Sequence, residues 1–431
     1  MLTEEENNLL TRTGHGTPCG DLLRRYWQPV ALSEELPEGG APLSVEVLGE
    51  ALVLFRDGDG RPGLLGLHCA HRGADLSLGR VENGGLRCIY HGWLYDVQGR
   101  CLEQPGEPAG SDFKDKIRHR AYPCTEKAGI VFGYLGAGEP PLVPAYEALV
   151  AAPEHRYVTK TFHDCNHLQA NEGNLDPAHL SFLHRRLTDP YHRSVKGTDG
   201  TLPIALFIGD VAPTIQVEET DFGLRIITLR KAGEDKMYLR VTYFVLPNLS
   251  CIAGPTAGDG YDIHWHVPIN DHCHWRYDVI FSTSAPLSAH DWKKINMERN
   301  EKNGGYQWIR NRGNHWLQDR ESMKSWNFSG LGGFNNAQDT AVVESAGPVQ
   351  DRTEEHLGTT DKAIIAARHL ILKAIQEVEA GREPPHVIRD PRANRFPHMA
   401  VIAEVIPASE DWRGYWKKAT REGPAESKAA L

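Results

Sequence analysis

Between residues 44 and 135 the apolar positions come in short runs rich in Val, Leu and Ile, broken every few residues by turn formers. The run "SVEVLGEALVLF" leads directly into Asp57-Gly58-Asp59-Gly60, and similar units continue through "AGIVFGYLG". Asp-Gly pairs between such runs predict tight hairpins, so this region reads as all-β. Ahead of it, residues near 4 to 27, ending in "CGDLLRRYWQPV", predict a short helix stopped before Pro29. The Pro- and Ala-rich segment 136–155 marks a domain boundary. Beyond it, "CNHLQANEGNLDPAHLSFLHRR" (165–186) reads mainly as helix. Strands follow in "TIQVEETDFGLRIITLRK", "KMYLRVTYFVLP", "YDIHWHVPI" and "HWRYDVIFST". Near the C-terminus Ile364, Ala367, Ile371, Ala374 and Val378 recur at steps of three and four, and Gly381 stands where a helix cap belongs. The last dozen residues, "TREGPAESKAAL", read as frayed. The pattern predicts an α+β protein of two domains: 1–145, a helix plus a β domain, and 146–431, a larger mixed domain.

Composition narrows the function classes. With 431 residues, 40% hydrophobic and 24% charged, the chain suits two ordinary cores. A formal charge of −10 argues against non-specific nucleic-acid binding, which needs a basic surface. No apolar run reaches the length of a membrane span, and "MLTEEENNLLTRTG" lacks the plan of a secretory signal. The expected location is the bacterial cytoplasm, where thiols stay reduced. Of the eight cysteines, Cys19, Cys101, Cys124, Cys165, Cys251 and Cys273 lie in no paired spacing and are expected to be buried thiols.

The other two open the chemistry. Cys69-x-His71 and, after sixteen residues, Cys88-x-x-His91 are two mixed pairs of metal ligands on neighbouring loops. Zinc is one reading, although zinc modules usually pair Cys with Cys and His with His. A centre of two irons suits mixed pairs better, with the cysteines on one iron and the histidines on the other, the ligand set of a Rieske [2Fe–2S] cluster. A second motif, Asp176-Pro-Ala-His179-Leu-Ser-Phe-Leu-His184, follows the boundary. Five residues turn a helix by about 500°, so its two His rings would stand about 140° apart. For both to reach one metal, the helix must widen locally or end. Asp176, three before His179, shares a face with it; in an ordinary structural reading Asp176 caps a helix entered through Pro177.

The stretches "CAHRGADLSLG" and "CIYHGWLYD" closely resemble the cluster loops of Rieske non-haem iron oxygenases, and D-x-x-H-x₄-H resembles their catalytic motif. "NHLQANEGNLDPAHLSFLHR" and "NNAQDTAVVESAGPVQDRTEEHLGTTDKAIIAARHL" are similar to the phthalate-dioxygenase-like branch. The resemblance implies a catalytic (alpha) subunit in which an all-β Rieske domain precedes a larger domain whose antiparallel sheet wraps round helices, of helix-grip type. It implies Cys69, His71, Cys88 and His91 on the cluster. His179 and His184 with Asp339 would hold a mononuclear Fe(II), Glu344 and Asp351 being the other acids in reach. It also implies Asp176 as a bridge between His179 and His91 or His71 of a neighbouring subunit in a head-to-tail homotrimer or multiple of trimers. O₂ would be the co-substrate, with electrons from a separate NAD(P)H-dependent reductase carrying FMN and a [2Fe–2S] centre. The branch favours aromatic acids, so Arg225 or Arg240 is the expected carboxylate partner. Ring dihydroxylation is the leading reaction, with monooxygenation or O-demethylation of a methoxylated acid as the alternative. A plain Rieske electron carrier is a third reading. His264, His266, His272 and His274 form another histidine cluster, read here as strand residues of a half-wet sheet.

Overall fold

The computed structural model describes residues 2–187, 204–253, 260–283, 285–288, 298–300, 305–397 and 399–421. The segment expected to fray falls mostly at 422–431, outside the described residues. Helix α1 (Glu4–Thr11) starts with a reciprocal cap, Thr3 Oγ1 accepting from Glu6 N and the Glu6 carboxylate accepting from Thr3 N. Helix α2 (Pro18–Leu23) follows. Eleven short strands come next: β1 (Gln28–Leu32), β2 (Leu43–Val47), β3 (Glu50–Arg56), β4 (Pro62–Gly66), β5 (Arg80–Glu82), β6 (Gly85–Arg87), β7 (Leu94–Tyr95), β8 (Cys101–Glu103), β9 (Ala121–Tyr122), β10 (Cys124–Lys127) and β11 (Ile130–Gly133). They form three small antiparallel sheets, β1-β11-β10, β2-β3-β4-β9 and β5-β6-β7-β8. The predicted Asp57–Gly60 turn joins β3 to β4, with Asp57 Oδ1 accepting from the amides of Asp59 and Arg61.

The larger part is built on one eight-stranded antiparallel sheet: β12 (Arg156–His163), β13 (Thr214–Glu219), β14 (Gly223–Lys231), β15 (Lys236–Val245), β16 (Leu249–Ile252), β17 (Asp262–Pro268), β18 (His274–Phe281) and β19 (Ile402–Pro407). Its order is β12-β18-β17-β16-β15-β14-β13, with β19 beside β15. Cross-strand register separates its two faces, because directly paired residues point the same way. One face carries the rows Val245–Leu249–Trp265–Tyr277 and Tyr243–Cys251–Ile263–Val279, all buried and apolar in character. The first part of the chain packs on this face: Phe132 lies against Trp265, and Lys160 reaches Glu35 at 2.6 Å while sitting over Trp275.

The opposite face carries Tyr238, Arg240, Thr242, Ser250, Asp262, His264, His266, His274, Arg276 and Asp278, every one of them buried. The expectation of a half-wet sheet is therefore corrected. Helices cover this side, so the polar groups must satisfy one another.

Helix α3 (His167–Leu175) lies over that polar face, with Asn171 Oδ1 accepting from Ser250 Oγ at 2.6 Å. It stops at Leu175 and does not continue to 186 as the pattern suggested. Pro177 forces the preceding residue out of the helical region, and Asp176 sits at φ −86°, ψ 110°. Asp176 accordingly caps no helix; its Oδ1 accepts from Ala178 N at 2.6 Å in a tight turn, and only a single 3₁₀ turn, His179–Ser181, comes after. Beyond lie α4 (Ile204–Gly209), α5 (Asn335–Ser345), α6 (Lys362–Glu379) and α7 (Trp412–Arg421). α6 buries Ala367, Ile371 and Ala374 and closes on Gly381 at φ +72°, as its periodicity predicted. None of the described helices is long and apolar enough to cross a membrane.

A buried ion cluster fixes α3. Glu172 accepts from Arg352 at 2.8 Å and from Arg368 of α6 at 2.6 Å, and Arg368 also holds Glu355 at 2.6 Å. Removing the anion leaves Arg352 without a carboxylate in the interior and Arg368 with Glu355 alone. Glu172→Ala is expected to cost about 3–5 kcal/mol of stability in a denaturant titration, whereas a change below ~1 kcal/mol would mean the pair is solvated.

Candidate metal centres

The first donor set lies on two loops of matching design. Cys69 leaves β4 and Cys88 leaves β6; Gly73 N donates to Cys69 O at 2.8 Å, and Gly92 N donates to Cys88 O at 3.0 Å. Both glycines stand at positive φ (71° and 76°), which lets each loop reverse tightly around its ligands. The two thiols are buried, while His71 and His91 face outward with ring centroids 4.4 Å apart. Trp93 stacks on His71 at 4.5 Å and fixes its plane. Local desolvation, with His71 and Arg72 nearby, holds the His91 imidazole below its ordinary pKa, which favours the neutral form a metal needs. Two adjacent thiols inside and two imidazoles outside fit a group with one sulfur-bound and one nitrogen-bound iron. Tyr95, which the sequence reading passed over, places its hydroxyl 3.2 Å from Cys69 Sγ. Its place in "GWLYD", two residues after Trp93, is the only signal in the sequence.

The second donor set unites His179, His184 and Asp339, whose ligand atoms all lie within 4.8 Å of one another. His184 Nε2 is 3.1 Å and His179 Nε2 is 3.6 Å from Asp339 Oδ1. Each imidazole turns its other nitrogen to a protein partner. His179 Nδ1 faces Asp176 at 3.5 Å, and His184 Nδ1 donates to Gln338 Oε1 at 2.6 Å. Gln338 Nε2 donates to Gly332 O at 2.6 Å, so the amide has one orientation and the His184 tautomer is fixed. Gln338 was not singled out from the sequence, although it directly precedes Asp339. Desolvation opposes ionisation of Asp339, but the His184 and His179 imidazoles hold its carboxyl below the usual range. His184 is buried, whereas His179 and Asp339 are partly open, leaving one side of the triad accessible.

The loop that carries His179 is anchored to the sheet by Arg230. This buried side chain donates to Pro177 O at 2.6 Å and to Ser181 Oγ at 3.0 Å. α3 is tied to the Asp339 region through Gln169, which donates to Val343 O and Gly347 O at 2.9 Å each.

The alternative acids do not reach the triad. Glu344 stands five residues beyond Asp339, about 140° round the helix, and accepts from Asp164 N and Trp316 Nε1. Asp351 is exposed and closes a turn with Thr353. Arg225 is also corrected as a carboxylate partner. It pairs with Tyr243 in register, which puts it on the apolar face, where it meets Glu218 at 2.7 Å and stacks 3.5 Å over Trp416. Arg240 lies on the polar face, near enough for its charge to act on His179. Its Nη1 is buried with no hydrogen-bond partner among the described residues. The histidine cluster splits: His264, His266 and His274 are buried together, while His272 is in an exposed turn. The remaining six cysteines are free thiols, with Cys124 and Cys273 half-buried and the others buried.

Residues 26–123 match the Rieske [2Fe-2S] domain family and residues 133–429 match the family described as LigXa C-terminal domain like. The chain is 36% identical over 427 residues to the phthalate 4,5-dioxygenase oxygenase subunit of Pseudomonas putida, covering 96% of this chain and 95% of that one. It is 34% identical to the 3-chlorobenzoate-3,4-dioxygenase oxygenase subunit of Comamonas testosteroni, covering 96% and 97%. It is 31% identical to the 5,5'-dehydrodivanillate O-demethylase oxygenase subunit of a Sphingobium species, covering 95% and 90%. Among solved structures, the reduced complex between oxygenase and ferredoxin in carbazole 1,9a-dioxygenase shares the fold at TM-score 0.57 and 22% identity, covering 86% of this chain and 95% of that one.

With a cluster bound, the Cys69 sulfur would have no proton, and the Tyr95 hydroxyl would donate to it and stabilise the charge added on reduction. One hydrogen bond contributes about 0.5–1.5 kcal/mol, so Tyr95→Phe is expected to lower the cluster potential by ~20–60 mV in an EPR-monitored titration. An unchanged potential would show the contact to be packing alone. Gln338→Leu is expected to weaken iron retention ~10- to 100-fold by metal analysis while cluster content holds.

Proposed function

The chain belongs to the Rieske non-haem iron oxygenases as an oxygenase subunit, and from that premise we propose that it hydroxylates an aromatic carboxylate, adding both atoms of O₂ to the ring. The observation that carries the substrate class is Arg240, a buried cation whose Nη1 has no partner among the described residues, on the sheet face to which Arg230 anchors the His179 loop. An unpaired buried guanidinium is costly unless a ligand supplies the anion, and a carboxylate matches its forked donors. The relatives, oxygenase subunits of a phthalate and a chlorobenzoate dioxygenase and of a dehydrodivanillate O-demethylase, are compatible with an acid at that position.

In this reading Cys69, His71, Cys88 and His91 hold the [2Fe–2S] cluster, and His179, His184 and Asp339 hold the mononuclear iron. When bound, the cluster supplies single electrons and the iron supplies the site at which O₂ is activated. The chain's own groups do the rest. Arg240 orients the acid by its carboxylate, Gln338 and Asp176 fix the imidazole planes, and the covered polar face keeps bulk water from the reacting ring. We divide the chain into a Rieske part, 1–145, and a catalytic part, 146–431; α1 and α2 cross to the latter, where Arg12 meets Asp271 at 3.0 Å.

Within one chain the Rieske part packs on the apolar face of the sheet, whereas the loop that carries His179 is anchored to the polar face by Arg230. This separation supports electron transfer between subunits, which we assign to a head-to-tail ring of three or a multiple of three. Around the outward histidines, Ile89, Tyr90, Leu78 and Phe113 are exposed; around the iron-bearing loop, Phe182, Trp326 and Phe328 are exposed. These two apolar patches are our candidates for the complementary faces, with Asp176 bridging His179 to His91 or His71 of the neighbouring subunit. Electrons enter from a separate NAD(P)H-dependent reductase with FMN and a [2Fe–2S] centre.

A single-turnover experiment tests the reading. The reduced protein is mixed with O₂ and a panel of aromatic mono- and dicarboxylic acids and methoxylated acids, and products are identified by mass. A product gaining two oxygens and two hydrogens is expected; one gaining a single oxygen, or losing a methyl group, would replace dioxygenation by monooxygenation. Arg240→Met is expected to weaken acid binding ~10- to 100-fold, and an unchanged affinity would remove Arg240 from the site. Asp176→Asn is expected to retain both metals and lose ~10- to 100-fold in turnover; full activity would sink the bridge.

A further inference from the structure

The polar face of the sheet contains more unsatisfied chemistry than Arg240. A chain of hydrogen bonds crosses it, and each link has a forced direction. His274 Nδ1 lies 2.7 Å from Cys165 O, and a carbonyl can only accept, so His274 carries its proton on Nδ1. Burial, reinforced by neighbouring cationic groups, keeps His274, His266 and His264 well below the ordinary imidazole range, so all three are neutral and each has one N–H. His274 Nε2 is then an acceptor, and His266 Nδ1, 3.1 Å away, must donate to it. That leaves His266 Nε2 as an acceptor for Asn174 Nδ2 at 2.7 Å. The Asn174 amide is thereby oriented, and its Oδ1 accepts from His264 Nδ1 at 3.3 Å. At the end of the chain, His264 Nε2 holds a bare lone pair.

Nothing among the described residues donates to it. The nearest charged group, Asp278 Oδ1, is 3.8 Å away and is itself an acceptor, already bound by Arg276 Nε at 2.7 Å. Two residues along the same strand and on the same face, Asp262 is 3% exposed with an Oδ1 that has no partner. The site adjoins the iron triad: the Asp339 charge acts on the His264 ring, and Arg276 acts on Asp339. Arg240 stands two strands away on β15 and four residues along from the Phe244 that is level with His264, roughly 17 Å between backbones, and its charge acts on Asp262.

We propose that His264 Nε2 and the Asp262 carboxyl form a second polar subsite of the substrate pocket, opposite Arg240, that takes a hydroxyl group carried by the aromatic acid. The hydroxyl donates to His264 Nε2, which cannot be satisfied by an ether or a carboxylate. Burial and the Asp278 charge raise the Asp262 pKa, so its carboxyl holds a proton and donates to the oxygen of the same hydroxyl. The substrate class narrows to hydroxylated aromatic acids, and this rests on the aromatic-acid reading above.

Anaerobic calorimetry on the holoenzyme with benzoate, 3-hydroxybenzoate and 4-hydroxybenzoate tests it. One hydroxybenzoate is expected to bind about tenfold more tightly than benzoate. His264→Leu should erase that preference while leaving benzoate affinity within about twofold, and His264→Gln, whose amide oxygen can accept, should recover part of it. Equal affinities in the parent protein, or a His264→Leu loss as large for benzoate as for the hydroxybenzoates, would overturn the subsite and leave the Arg240 reading standing. Failure of all three acids to bind would overturn both. Should His264→Leu not fold, neutron diffraction from crystals of the parent holoenzyme decides: deuterium on His264 Nδ1 is expected, and deuterium on Nε2 would overturn the proposal.

Discussion

The break in the chain at Asp176-Pro177 is the constraint on which the catalytic half depends. A helix continued through 186 would have held His179 and His184 on faces about 140° apart. Proline ends α3 one residue early, the Asp176 side chain takes over the next free amide, and the following loop folds back so that both imidazoles meet Asp339. The residue that makes the turn is also the one facing His179 Nδ1. Local backbone chemistry and the proposed electron bridge therefore share a single carboxylate.

A loop so released has to be held by something else. Arg230 grips its carbonyl and hydroxyl groups from the sheet below, and Gln338 grips His184 from the side. Helix α3, which launches the loop, is pinned by Glu172 between two arginines. Each of these groups is buried and hydrogen-bonded, so each is costly to displace. The outcome is a donor set whose Nε2 atoms converge although no regular element presents both.

The eight-stranded sheet divides the labour. Its apolar face is an ordinary docking surface for the Rieske part. Its polar face departs from that rule, burying arginines, aspartates and histidines, and the hydrogen bonds of three histidines and Asn174 run in one direction from a backbone carbonyl to His264. Buried polar groups are tolerated when paired, and those of this face without partners among the described residues include Arg240 Nη1 and Asp262 Oδ1, with Tyr238, Thr161 and His163 further along it.

The sequence by itself determined the chemistry and most of the elements. Cys69-x-His71, Cys88-x-x-His91 and D-x-x-H-x₄-H are local patterns, because ligands on one loop or one turn must be close in the chain; the Asp57–Gly60 hairpin and the Gly381 cap are local for the same reason. The third acid came only by resemblance, since composition cannot choose among Asp339, Glu344 and Asp351. Helix phase puts Asp339, and not Glu344, beside the two imidazoles, and that is tertiary. Arg225 and Arg240 looked alike on paper. A strand exposes alternate residues to opposite faces, and which face is buried under α3 and which under the Rieske part is set by sheet register and packing, not by any property of either arginine. The tautomer chain from Cys165 to His264 was likewise invisible, because its links join residues about 10 to 100 positions apart and exist only where β17, β18 and α3 meet.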